Sequence, residues 1–207
     1  MYGETVAHPV TGDEVIKKST RKSPFGQFSL EAEQKVLKAA GCGSSASAAD
    51  KPRGIDAAIL RLTDVYGGND ADGDTFRTVT RLVHNAIRSQ PLILFDGIKR
   101  LDFLHVSDAA RAVRAAISLM DRRQSADMVT RSCDLVFNVG AGEPVTMPEL
   151  VREVLNATNS LSKVAVQPRH EESEPCVKDI QVNLTKTIRG LDFVPKVRNH
   201  LTISEIN

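Results

Sequence analysis

The stretch that most constrains the fold runs from Ala57 to Gly68. Its first six residues are almost all apolar, too few for an ordinary helix, and two glycines stop the run. The pattern predicts a strand that is covered on both faces, in a sheet with helices on both sides. Ligands of open α/β sheets bind beyond the carboxyl ends of the strands. We therefore expect Thr63, Asp64 and Tyr66 to lie at the mouth of a site.

Size and charge exclude several classes of partner. The chain has 207 residues, of which 41% are hydrophobic, and this is enough for one globular domain or a domain with a small lobe. Its 27 basic and 26 acidic side chains give a formal net charge of +1. With this balance, the chain has no excess of positive charge that would attract nucleic acid or anchor it to a membrane surface. No apolar run approaches the ~20 residues of a membrane span, and no signal pattern follows the first residue.

Cysteine and histidine spacing argues against disulfides and metal sites. The chain has three cysteines, Cys42, Cys133 and Cys176. Because they are odd in number, far apart and at no metal-ligand spacing, they predict a reducing compartment, and we expect the cytoplasm. Of the histidines, His84, His105 and His170 have no carboxylate or cysteine at ligand spacing on the same face, so we expect no metal.

The rest of the chain alternates between helical and strand patterns. Ser29 to Ala40 predicts a helix with Ser29 as its N-cap and Gly41 just past its end. Short strands are predicted over 91–95, 101–106 and 135–139. A capping box at Thr146 and Glu149 opens a later helix. This alternation predicts an α/β fold.

Six short motifs occur in an order and spacing typical of one family. They are Tyr2-Gly3, Ser23-Pro24-Phe25-Gly26, Ile59-Leu60-Arg61 with Asp64-Val65-Tyr66-Gly67, Asp102-Phe103-Leu104-His105-Val106-Ser107-Asp108, Phe137-Asn138-Val139-Gly140 and Leu191-Asp192-Phe193-Val194-Pro195. Together they resemble the extended short-chain dehydrogenase/reductases, the NAD-dependent epimerase/dehydratase family that acts on nucleotide sugars. The match spans almost the whole chain, and it is specific for the family but not for a substrate.

The resemblance implies a fold and a domain organisation. We expect an incomplete doubly wound Rossmann-type parallel sheet with a small α/β substrate lobe. Residues 1–207 would form one truncated domain that covers only the later part of the family's domain. Within it, residues 1–136 would carry the later Rossmann elements with interleaved segments of the substrate lobe, and residues 137–207 would form mainly that lobe.

The catalytic positions of the family are altered in this chain. The family has a Tyr after Ser-Pro and a Lys four residues later, so that one helix face presents a proton donor and a nearby ammonium. Phe25 and Ser29 occupy these positions. The family's catalytic Ser or Thr would lie before Tyr2. Since a phenyl ring has no proton to transfer, we expect the chain as given to be inactive.

The cofactor of the family is NAD or NADP, and its glycine-rich binding turn is not found. Gly41 begins a G-x-G-x-x-A spacing, but it follows a predicted helix and enters a loop, whereas pyrophosphate binding needs a strand before the turn and a helix after it. The turn Gly140-Ala141-Gly142 does follow a strand, but Val145 holds the place of the third glycine. We interpret it as a turn-forming segment, and we expect no NAD to be bound.

Four positions are predicted to contact a substrate: Thr63, Asp64, Phe95 and Arg100. The family has an Asn at the position of Asp64, whose carboxylate would here lie near the phosphates and weaken binding. An Arg usually directly precedes the Asp-Phe pair, but that place is taken by Leu101, and Arg100 would point to the opposite face of a strand. A local bulge would restore its direction. Arg100 is therefore either a solvated edge residue or a phosphate ligand.

Three functions remain open at this point. The chain is an inactive member of the family, or active only within a longer product. Alternatively, it is a non-catalytic protein that binds a nucleotide sugar, or regulates an active homologue through its helices as a homo- or hetero-oligomer. The third alternative is a fragment of a steroid or alcohol dehydrogenase of the same superfamily.

Overall fold

The computed structural model describes residues 24–42, 55–68, 78–95, 100–126, 134–167 and 181–197. Helices and strands alternate along these ranges. In chain order they are α1 (Pro24–Ala39), β1 (Ile59–Leu62), β2 (Asp64–Tyr66), α2 (Thr78–Ile87), β3 (Leu92–Phe95), β4 (Arg100–Leu101), β5 (Phe103–His105), α3 (Val106–Ala126), β6 (Val136–Val139), β7 (Val145–Thr146), α4 (Met147–Thr158), β8 (Val164–Gln167) and α5 (Thr185–Leu191).

The strands pair mainly in parallel. β1 pairs with β6, β2 with β5 and β3 with β8, each in parallel, whereas β4 and β7 are antiparallel. Parallel strands need crossover connections, and helices supply them here. The α/β prediction is confirmed.

The stretch from Ala57 to Gly68 forms two short strands. β1 ends at Leu62, and β2 then continues the chain beside β5. The residues of β1 are only partly buried, and Leu62 is 43% exposed. The prediction of a strand covered on both faces is therefore wrong. Tyr66 was expected at the mouth of a site, but it is 4% exposed and lies in a hydrophobic core, because pairing with β5 turns it inward.

The first helix begins earlier than the sequence pattern predicted. It starts at Pro24, and proline is well suited to a first helical turn because its missing N–H would have no partner there. Ser29 therefore lies inside the helix and is not its N-cap. The predicted end is confirmed, since Gly41 has a φ of 80° and the N–H of Cys42 donates to the carbonyl of Leu37 at 2.9 Å.

Two hydrophobic cores hold these elements together. The first packs α2 against α4 and includes Tyr66, Leu92 and Phe103. The second packs α3 with β6 and α5. Each core takes residues from both sides of the boundary predicted between residues 136 and 137, and that boundary stays a prediction.

The predicted capping box is present at the start of α4. The N–H of Thr146 donates to Glu149 Oε2 at 2.8 Å, and the N–H of Glu149 donates to Thr146 Oγ1 at 3.3 Å. The hydrogen bonds from Thr146 lower the pKa of Glu149. The helix therefore begins where the sequence predicts.

Cys42 is disulfide-bonded. This bond is at odds with the predicted reducing compartment, where disulfides are rare. Within the described ranges, no helix is long and apolar enough to cross a bilayer, and no three metal-binding side chains are grouped around a common point. Cys133, Cys176 and His170 lie outside these ranges.

Candidate functional site

The carboxyl ends of β1 and β6 meet at one edge. Leu62 and Val139 are partners in the parallel register, and the N–H of Thr63 donates to the carbonyl of Val139 at 2.9 Å. Thr63 is thus fixed beside the turn that begins at Gly140. Asp64 follows in β2 and is exposed. The sheet therefore brings Thr63 and Asp64 to the edge at which ligands of such folds bind.

The hydroxyl of Thr63 is buried in this edge. Its Oγ1 is inaccessible to solvent and has no hydrogen-bond partner among the described residues. Space around it is tight, since a Cβ added at Gly140 would lie 2.9 Å from Thr63 Cγ2 and 2.7 Å from Asp102 Oδ2. Buried polar atoms are nearly always paired. This hydroxyl is therefore an unused donor and acceptor within the site.

A buried carboxylate holds the turn after β6. Asp102 accepts the N–H of Ala141 at 2.8 Å and the N–H of Gly142 at 2.9 Å. Burial raises the pKa of Asp102 from 3.8 to about 6, although backbone N–H donors, including that of Val182, act in the opposite direction. Asp102 thus ties the junction of β4 and β5 to a turn that lies 39 residues away.

The same contacts decide whether this turn fits a pyrophosphate. In a dinucleotide-binding turn, backbone N–H groups face the phosphates. Here the N–H groups of Ala141 and Gly142 are occupied by a carboxylate, which would also repel a phosphate. Gly41, the other candidate, ends α1, and the rest of its spacing lies outside the described residues. The turn after β6 therefore does not fit the pyrophosphate of NAD.

The raised pKa of Asp102 predicts a pH-dependent stability. The folded chain holds this proton more tightly than the unfolded chain, so the stabilising contribution is complete below pH ~4 and is lost as the pH rises to about 6. The loss is on the order of 3 kcal/mol. In Asp102→Asn this pH-dependent loss of stability is expected to disappear. Urea unfolding between pH 4 and 7 measures the free energy of unfolding of the parent and of the variant. Parallel pH profiles for the parent and variant would contradict the assignment.

Arg100 and Phe95 lie in other strands. In β4, Leu101 is 7% exposed and Arg100 is half-buried, and their register with Val145 and Thr146 is regular. No bulge therefore rotates Arg100 to the face of Leu101. Phe95 is the last residue of β3, which pairs with β8. Three of the four predicted substrate positions, Asp64, Phe95 and Arg100, are thus distributed over three strands in three separate pairings, and Thr63 lies between β1 and β2.

A cavity of about 520 Å³ opens beyond the end of β6. Its size is typical of small-molecule pockets. Polar lining comes from Glu143, Gln181, Asn183 and Thr185, and the N–H of Thr185 donates to Asn183 Oδ1 at 2.8 Å. None of the four predicted substrate residues lines this cavity.

An ion pair that the sequence patterns did not predict positions α1. Arg61 Nε and Nη2 lie 3.0 Å and 2.5 Å from the two carboxylate oxygens of Glu33, and both side chains are buried. The pair links α1, which carries Phe25 and Ser29, to β1. One signal was present in the sequence, because an arginine inside an apolar strand pattern needs a buried partner.

His105 has a structural role in this arrangement. Its Nδ1 lies 2.7 Å from Ser107 Oγ, and its ring contacts the ring of Tyr66 edge to face at a centroid distance of 5.2 Å. A Cβ at Gly67, which has a φ of 88°, would lie 2.5 Å from His105 Nε2. A glycine is therefore required where the chain leaves β2.

Comparison with protein families gives a match over residues 4–141 to the NAD dependent epimerase/dehydratase family. A curated relative, UDP-N-acetyl-alpha-D-glucosaminuronate decarboxylase of Bacillus cytotoxicus, is 26% identical over 117 residues. The matched part is 56% of this chain and 33% of the relative. The chain thus matches about one third of that protein's length.

Solved structures share the fold. UDP-glucose 4-epimerase of Thermotoga maritima, solved with UDP-glucose, gives a TM-score of 0.75 at 23% identity, over 96% of this chain and 56% of its own. MoeE5, solved with UDP-glucuronic acid and NAD, gives a TM-score of 0.73 at 22% identity, over 99% of this chain and 60% of its own. The chain therefore spans less than two thirds of these proteins, and the confirmed Rossmann-type fold is partial.

Proposed function

The chain belongs to the NAD-dependent epimerase/dehydratase family, and from this membership we propose that it binds a nucleotide sugar without turning it over. Both solved relatives described above were solved with a UDP-linked sugar. The proposal covers residues 1–207 as one domain, with the boundary near residue 136 as its internal division. A cytoplasmic location is part of the proposal, with the cysteine spacing in its favour and the Cys42 disulfide against it.

The proposal rests on the residues that occupy two positions of α1. Phe25 and Ser29 both belong to this helix and are four residues apart in the chain. The ion pair between Glu33 and Arg61 holds the helix against β1. We propose that these two residues occupy the family's catalytic positions, where a phenyl ring and a serine supply neither the proton donor nor the ammonium.

Cofactor binding is proposed to be absent. The N–H groups of Ala141 and Gly142 already bind the carboxylate of Asp102, and Gly41 terminates a helix. When bound in relatives, NAD supplies hydride chemistry. In this chain, we assign no residue to that group.

Substrate contact is proposed for Thr63, Asp64 and Phe95, whereas the regular register of β4 and β7 favours Arg100 as an edge residue over a phosphate ligand. Thr63 lies at the carboxyl edge of β1, where its N–H donates to the carbonyl of Val139. Asp64 is exposed beside it and would place a negative charge near a diphosphate. Binding is therefore expected to be weak, and it is expected to strengthen when that charge is removed.

The test is a titration of the parent and Asp64→Asn with UDP-glucose by calorimetry. Removing one carboxylate near the phosphates is expected to tighten binding about tenfold, from a gain of about 1.4 kcal/mol. Asp56→Asn is the matched control. It also removes one carboxylate, but at the start of β1 and not at its carboxyl end, so the affinity is expected to stay the same. Equal effects of the two substitutions would reject the site, and so would unchanged affinity in Asp64→Asn.

A further inference from the structure

β8 is an edge strand with an apolar surface. It pairs with β3 on one side, and no described strand pairs with its other side. All four of its residues are exposed. Val164 is 45% exposed, Val166 is 67% exposed, and nearby Leu161 is 99% exposed. Exposed apolar edges are templates for pairing with another chain.

The pairing with β3 determines which backbone groups of β8 remain available. In a parallel pair, both polar groups of one residue point to the same side, and successive residues alternate. The N–H of Leu92 donates to the carbonyl of Lys163 at 2.8 Å, so residues 163, 165 and 167 face β3. The N–H and C=O groups of Val164 and Val166 therefore point to the open edge.

We propose that β8 pairs antiparallel with β8 of a second copy of this chain, around a two-fold axis at Ala165. In this register Val164 lies opposite the partner's Val166. Both residues direct their N–H and C=O groups to the open edge, as a hydrogen-bonded antiparallel pair requires. The two β3–β8 pairs would join into one continuous four-stranded sheet.

Side-chain complementarity favours a second copy as the occupant of this edge. Val164 and Val166 would form cross-strand pairs of β-branched residues, which stabilise antiparallel sheets. Lys163 would lie opposite the partner's Gln167, so no like charges face each other. Leu161, at 99% exposure, flanks the strand and adds apolar surface that association can bury. Because the strand has only four residues, we expect a weak, concentration-dependent dimer.

The first test measures self-association by sedimentation velocity across protein concentrations. Val166→Lys is expected to weaken the dimer at least tenfold, because lysine on an edge strand opposes pairing. Phe28→Lys is the matched control, since Phe28 is 72% exposed on α1 and association through the helices would require that surface. A monomeric parent, or loss of the dimer in Phe28→Lys but not in Val166→Lys, would overturn the proposal.

The second test determines the register. Val164→Glu and Val166→Lys should each associate poorly alone, since each leaves a charge opposite a valine. When the two variants are mixed, residue 164 of one lies opposite residue 166 of the other, so a glutamate meets a lysine and the heterodimer should form. Unchanged melting curves by circular dichroism show that both variants are folded. No heterodimer from folded variants would overturn this register.

Discussion

Turnover of a nucleotide sugar is expected only from a protein that combines two changes. The first is Phe25→Tyr with Ser29→Lys, which restores a proton donor and an ammonium four residues apart on α1. The second is fusion to the N-terminal part of a homologue that carries a glycine-rich turn. In such a fusion the double substitution should raise the rate by roughly 10²–10⁴, the usual contribution of general acid–base catalysis.

The readout is epimerisation or reduction across a panel of nucleotide sugars. Three proteins are compared: the chain with the double substitution, the fusion without it, and the fusion with it. The first is expected to remain inactive, because Asp102 occupies the N–H groups of the turn after β6 and we assign no residue of the chain to NAD. Turnover by the unmodified chain would show that another residue acts as the acid and that the assignment of Phe25 and Ser29 is wrong.

Local patterns predicted the elements whose cause is local. The capping box of Thr146 and Glu149 requires only side chains three residues apart, and it is present. Gly41 ends α1 because a left-handed conformation is needed there. The apolar run that contains β6 predicts a buried strand, and every residue of that strand is buried.

Long-range contacts account for what the sequence did not predict. Nothing near Thr63 in the chain indicates that β1 ends and β2 begins there, since each strand is defined by a different distant partner. Glu33 and Arg61 lie 28 residues apart, and their pairing buries a charged residue of α1. On the same helix the apolar side chain of Val36 is 37% exposed.

The candidate site shows the same division between local and distant causes. The position of Thr63 at the carboxyl edge followed from the strand pattern, and the structure places it there. The role of Asp102 was not foreseen, because its carboxylate binds a turn 39 residues away. Asp102 is the first residue of one of the six family motifs, but the motif does not indicate its partners. Only the three-dimensional contacts show that its carboxylate accepts hydrogen bonds from the N–H groups of Ala141 and Gly142.

Calorimetric titration of the purified chain with NAD and NADH is the most direct test of the proposal that this family member does not bind its family's cofactor. The N–H groups of the turn after β6 are held by Asp102. We also propose that Ser29 takes the place of the lysine that the family has four residues after its tyrosine. The predicted result is a dissociation constant weaker than ~1 mM for both nucleotides, with a family member that carries the glycine-rich turn binding under the same conditions as the control. Saturable binding in the micromolar range would contradict the account.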